Sequence, residues 1–132
     1  MLKTIRRLEL SSETLDVARE GFTAWQQGDF DTIEAILDPN VRWLSFEPGD
    51  WDCQDRTDVM RTVRDRYDEG FARAPIELLA AGHDVVIVIA KPRETGGDEW
   101  PPEVATVIRF AEGKVVAMQD YRTKQEALAS VS

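Results

Sequence analysis

An α+β fold, with helices gathered on one face of an antiparallel sheet, is what the order of segments predicts. Three observations carry this expectation. The first half of the chain repeats apolar residues at helical spacing, the second half is a succession of short β-rich runs, and glycine or proline marks the junctions. The 132 residues fit one domain (1–132), with a core over about 11–122 and a weak helical tail over 123–132.

Ser11 and Ser12 stand as caps for a first helix that buries Leu15, Ala18, Phe22 and Trp25 in one stripe and ends at Gly28. Asp29 caps a short second helix carrying Phe30, Ile33, Ile36 and Leu37, which Asp38-Pro39 stops. Val41 to Phe46 reads as a strand broken by Pro48-Gly49. A third helix runs from about Asp55 to Glu69 with Gly70 beyond it, burying Val59, Met60, Val63 and Tyr67. Its solvated faces set Arg61 against Asp65 and Arg64 against Asp68. Ile76–Ala80 and Val85–Ala90 flank a turn at Ala81-Gly82-His83-Asp84, and a loop over 92–102 leads to the strand Glu103–Phe110. Ala111-Glu112-Gly113-Lys114 then turns the chain into Val115–Tyr121, and Lys124–Ala129 forms the tail.

Composition bounds the function. With 42% hydrophobic and 31% charged residues the chain is a soluble globular protein. Sixteen basic against 25 acidic residues give −9, which argues against nucleic acid and against an anionic membrane surface as partners. One cysteine, Cys53, makes no intrachain disulfide, and no apolar run reaches the roughly 20 residues of a membrane span. The first residues lack a signal peptide's apolar centre, so a cytoplasmic location is expected.

The element order, with Ala24-Trp25-Gln26-Gln27-Gly28-Asp29-Phe30-Asp31 joining the first two helices, resembles the SnoaL-like branch of the nuclear transport factor 2-like superfamily. Leu37-Asp38-Pro39-Asn40-Val41-Arg42-Trp43, Pro48-Gly49-Asp50-Trp51 and Phe110-Ala111-Glu112-Gly113-Lys114-Val115-Val116 resemble that family's first strand, first crossover and last hairpin. The resemblance spans roughly Ser11 to Tyr121. It implies a cone-shaped, curved antiparallel sheet (cystatin-like) with three helices on its concave face, and a pocket inside. Activities in such a family include polyketide cyclisation, steroid isomerisation and epoxide hydrolysis, and some members catalyse nothing. The tyrosine and aspartate positions of its steroid isomerases fall at Gly21 and Trp43, so that chemistry is not expected. The late acidic residue of its cyclases matches Asp120.

Pairing Phe110 with Val115 and counting outward sets Thr106 beside Gln119 and Val104 beside Tyr121, turning Thr106, Gln119 and Tyr121 toward the interior. A bulge in either strand reverses this and brings Asp120 inward instead. Tyr121 and Asp120 are therefore the two catalytic candidates. Trp25, Trp43, Trp51, Met60 and Tyr67, with Thr106 and Gln119, are the candidate substrate-binding residues, although the aromatic set also suits the core of a small domain. His83 sits in a tight turn, Cys53 has no histidine partner, and one histidine with one cysteine predicts neither a metal site nor a cofactor. Thr95-Gly96-Gly97-Asp98 lacks the lysine and helix of a phosphate loop.

These residues predict binding of a small hydrophobic or polycyclic molecule, with isomerase, cyclase or hydratase-type proton transfer if the chain is an enzyme. The alternative is a non-catalytic binding or dimerisation module with a vestigial pocket. Val85–Ala90 is apolar throughout; assigning Val85, Ile87 and Ile89 to the helices leaves Val86 and Val88, with Leu79, Ala105, Val107 and Met118, on an outer face. That face predicts a homodimer, unless the 92–102 loop or the C-terminal tail covers it.

Overall fold

The computed structural model describes residues 2–47, 49 and 52–131, with backbone alone over 2–12. Trp51 lies outside the described residues. Helix α1 spans Leu2–Gln27, α2 Phe30–Ile36, β1 Leu37–Leu44 and α3 Arg56–Asp68; a 3-10 turn at Phe71–Arg73 leads to β2 Ile76–Gly82 and β3 Val85–Ala90. Then follow α4 Arg93–Gly96, β4 Val104–Ala111, β5 Lys114–Tyr121 and α5 Lys124–Val131. The sheet is curved and unclosed, as expected of this fold class, in the order β1-β5-β4-β3-β2. Its pairings are antiparallel except one, because β1 runs parallel to β5.

Local chemistry explains most boundaries. Asp29 accepts the Thr32 amide at 3.3 Å and caps α2, and Asp55 accepts the Asp58 amide at 3.0 Å and caps α3. Beyond α3 the chain turns at Gly70 with φ 95°, a left-handed conformation that favours glycine. The α1 backbone extends back to Leu2, so Ser11 and Ser12 are interior positions and not caps. The stretch before them is rich in leucine and arginine without glycine or proline, so nothing in it breaks a helix. On α3 the ion pairs are Arg61–Asp58 and Arg66–Glu69, each three residues apart, while Arg64 lies over the Phe30 ring. The alternative pairs at four-residue spacing are not the ones formed.

The main core lies between α1, α2, α3 and one sheet face. It contains Ala18, Ile33, Val41, Val59, Met60, Val86, Val88, Ile108 and Phe110, with Trp25, Trp43 and Met118 packed against it. A second cluster lies on the other face, where Ile87, Ile89, Ala105 and Val107 are covered by Ala127, with Tyr121 and Val131 alongside. The faces of β3 are thus opposite to the sequence expectation. Val86 and Val88 meet the helices, and so does Met118, so these three cannot belong to an outer dimer surface. Ala105 and Val107 do lie on the outer face, but α5 covers it and they are 0% and 2% exposed. The tail supplies what a second subunit was expected to supply. Glu103 accepts the Lys124 amide at 2.7 Å and Thr123 Oγ1 accepts the Glu126 amide at 3.1 Å, which seats this helix. Among the described residues no helix is long and apolar enough to cross a membrane.

Candidate active site around Asp120

The turn between β4 and β5 is a tight one, with Glu112 and Gly113 both at positive φ (53° and 79°). Phe110 pairs with Val115 as the sequence predicts, but a bulge follows between Arg109 and Phe110. Beyond it Arg109 pairs with Ala117, Thr106 with Asp120 and Ala105 with Tyr121. The extra residue shifts β5 by one and reverses its faces. Asp120 thereby joins Thr106 on the helix-facing side. Tyr121 turns to the opposite face and packs beside α5, so it is no partner for chemistry inside the sheet. Gln119 leaves the interior too. Its Nε2 donates to the Ser45 and Asp120 carbonyl oxygens, both at 3.1 Å, tying the end of β5 to the end of β1.

Asp120 is held by two side chains. Trp43 Nε1 donates to its Oδ1 at 2.8 Å, and Thr106 Oγ1 donates to the same oxygen at 2.7 Å. Oδ2 accepts no hydrogen bond from the protein among the described residues. Burial pushes the Asp120 carboxyl above the ordinary aspartate value. The Trp43 and Thr106 hydrogen bonds and the charge of Arg66 oppose that rise, while the Asp52 charge adds to it.

Trp43 is aimed from behind. Its backbone N–H and carbonyl pair with those of Cys53 at 3.0 and 2.7 Å, an isolated bridge between β1 and the segment before α3. Asp52 secures the same loop: it accepts the Ser45 amide at 2.9 Å, the Ser45 hydroxyl at 3.2 Å and the Gly49 amide at 3.4 Å. These bonds, led by the one from the Ser45 amide, hold its carboxyl below the ordinary value. Cys53 is buried in the main core, and burial pushes its thiol up, away from the thiolate a nucleophile needs.

The other candidates divide. Trp25 donates its indole N–H to the Val63 carbonyl at 3.0 Å and stands edge-on to Phe22, joining α1 to α3. Met60 is 5% exposed, in the main core. Tyr67 meets Phe30 edge-on at 5.4 Å and lies over Gly28, where an added Cβ would approach its hydroxyl to 3.0 Å. Gly21 serves packing as well, since a Cβ there would come within 2.8 Å of Ile36 Cδ1. His83 is exposed in the β2–β3 turn. The role that sequence reasoning missed is that of Trp43, a hydrogen-bond donor to a carboxylate and not merely an apolar wall. Among the described residues no group of three His, Cys, Asp or Glu side chains gathers as metal ligands.

A family model of the SnoaL-like domain matches residues 18–118. Among solved structures, the chain is similar to a nuclear transport factor 2-like protein of unknown function from Burkholderia pseudomallei, at 20% identity over 91% of this chain and 98% of that one (TM-score 0.62). It is similar also to a protein described as a SnoaL-like polyketide cyclase from Jannaschia sp., at 16% identity over 91% of both chains (TM-score 0.62). A de novo designed protein with a curved β-sheet is as alike in shape, at 17% identity over 91% of this chain and 94% of that one (TM-score 0.64). A designed scaffold among the neighbours makes plain that the likeness carries fold alone. Among curated proteins, none matches the chain.

Proposed function

This chain belongs to the SnoaL-like family, and from that premise we propose that it binds a small apolar or polycyclic molecule on the helix-facing side of its sheet and exchanges a proton with it through Asp120. The observation that carries this reading is the division of labour within one carboxyl group. Oδ1 takes both protein hydrogen bonds, from Trp43 and Thr106, and Oδ2 takes none among the described residues. An oxygen so left is the one a substrate proton reaches, while the other fixes the plane of the group.

Burial raises the proton affinity of Asp120, which suits a carboxylate that must take a proton from carbon or oxygen. Trp43 and Thr106 stabilise the carboxylate once the proton has left, so the group works in both directions. Isomerisation, cyclisation and hydration all need that exchange. The polyketide cyclase named among the structural neighbours makes cyclisation the first reaction to try.

A non-catalytic binding module is the second reading. It is favoured by the position of Tyr121 beside α5, which leaves Asp120 without that hydroxyl as a second proton carrier. Native mass spectrometry of protein purified without added ligand, followed by solvent deuterium incorporation into the molecule found, separates the two. Incorporation that Asp120→Asn abolishes while binding persists is the expected result. Incorporation indifferent to that substitution rejects proton transfer by Asp120, and a ligand bound without any incorporation favours the second reading.

A further inference from the structure

Away from Asp120, between the C-terminal end of α3 and the short helix α4, lies a cavity of about 120 Å³. It is of the order of the roughly 150 Å³ engineered cavity that accepts a benzene ring. Two of its walls are aromatic: Phe71 and Trp100 meet edge-on with their centroids 4.2 Å apart. Ala74 and Pro92, both buried, supply further apolar surface. Gly96 shapes the Trp100 wall by what it lacks. A Cβ at this position would fall 1.9 Å from Trp100 Cδ1, so only glycine lets the indole lie against α4. The Arg93 Nε–H donates to the Trp100 carbonyl at 3.0 Å and holds that arrangement in place.

The charges around this cavity are uneven. Glu69, on the lining, is taken up by Arg66 at 3.3 Å, and the Arg66 guanidinium lies over the outer part of the same assembly at 5.1 Å from the Phe71 ring. Arg73 also lines the cavity, and its guanidinium has no partner among the described residues. A space of about one ring's volume, with two aromatic walls and an arginine without a charged partner among its lining residues, is complementary to a flat monoanion. Arginine binds a carboxylate through two parallel hydrogen bonds.

We propose that this cavity is a second ligand site, separate from Asp120, which takes a small aromatic carboxylate with its ring against Trp100 and Phe71 and its carboxylate on Arg73. The inference does not depend on the reaction assigned to Asp120. It is distinct in chemistry as well, since the ligand here is anionic and small, and the ligand on the sheet is apolar and larger.

The test is a titration of the full chain with benzoate, followed by amide and indole resonances in nitrogen-correlated NMR spectra, with benzyl alcohol and acetate as the neutral and ringless controls. The expected result is saturable shifts at the Trp100 indole N–H and the Thr95 and Gly96 amides. Benzoate is expected to bind at least about tenfold more tightly than either control. Arg73→Gln, at an exposed position whose loss leaves the fold's spectrum unchanged, removes the preference for benzoate over benzyl alcohol. Gly96→Ala displaces the indole and abolishes binding while the resonances of Trp43 and Asp120 stay where they are. Shifts centred on Trp43 and Asp120, equal affinity for benzoate and benzyl alcohol, or no saturation at millimolar concentrations each overturn the proposal.

Discussion

Trp43 and Asp120, 77 positions apart in sequence, are joined by a 2.8 Å hydrogen bond from the indole Nε1 to Oδ1, although Trp43 pairs in the sheet with Met118. The parallel pairing of β1 with β5 brings them within reach. Trp43, on the first strand, is thus the donor, and Asp120, on the last strand, is the acceptor.

Replacing Trp43 with phenylalanine keeps the ring and removes the donor. A hydrogen bond to a charged group contributes about 1.5–3 kcal/mol net, so Trp43→Phe is expected to destabilise the protein by that order at neutral pH. It is also expected to raise the Asp120 pKa further, because one of the bonds that opposes the burial effect is gone. Thr106→Val acts in the same direction. Carbon-detected titration of the carboxyl group follows both, and a pKa unmoved in the two variants contradicts the geometry.

The two perturbed aspartates give opposite slopes of stability against pH. Asp120 has a raised folded value, so it binds its proton more tightly in the folded state. Its contribution is full below the ordinary aspartate value and is lost as pH rises through the raised one. Asp52 has a depressed folded value. Its contribution is present above the ordinary value and is lost as pH falls through the depressed one. Thermal unfolding midpoints from about pH 3 to 7 are expected to fall less with rising pH in Asp120→Asn, and to fall less with acidification in Asp52→Asn.

If a turnover assay is found, Asp120→Asn is expected to lower kcat by about 10²–10⁴. Tyr121→Phe leaves kcat within a few fold, since its side chain packs on the other face beside α5. The reverse ranking indicates that β5 lies in the unbulged register.

Gly28 has φ 73° and faces the Tyr67 hydroxyl at a distance that a Cβ would reduce to 3.0 Å. The left-handed backbone alone makes Gly28→Ala cost about 1–2 kcal/mol. Adding Tyr67→Phe removes the hydroxyl but leaves ring carbon Cζ at 3.2 Å and the backbone strain, so chemical denaturation of the double variant recovers only part of the loss.

A chain ended after Thr123 loses α5 and uncovers Ile87, Ile89, Ala105 and Val107. Sedimentation velocity is expected to show self-association of this truncated form above that of the full chain. Equal behaviour of the two forms shows that the covered face is not adhesive.

Much of this architecture is legible in the residues, and the exceptions share a physical cause. The capping aspartate Asp29, the start of α3 near Asp55 and the strand Val85–Ala90 announce themselves, because each rests on chemistry local to a few residues. Which face of a strand points inward is different. Val86 and Ile87 are equally apolar, and burial on both sides of β3 erases the alternation that would separate them. The bulge at Arg109 and Phe110 has no residue signature either, yet one inserted position decides whether Asp120 or Tyr121 meets the helices. The candidate acid was readable as one of a pair, and the tie was broken by the backbone.

The place of β5 between β1 and β4 also sets an order of events during synthesis. β1 leaves the ribosome early, but its one strand neighbour is the last strand made. At about 5–20 residues per second, a separation of 77 residues keeps β1 waiting on the order of ten seconds. In that interval the nascent chain holds helices and the β2–β3–β4 meander, with the indole of Trp43 facing no carboxylate. Insertion of β5 joins the halves of the sheet and assembles the acid with both its donors in one step. Such long-range closure favours slow folding, and until it occurs Asp120 lacks both of its donors.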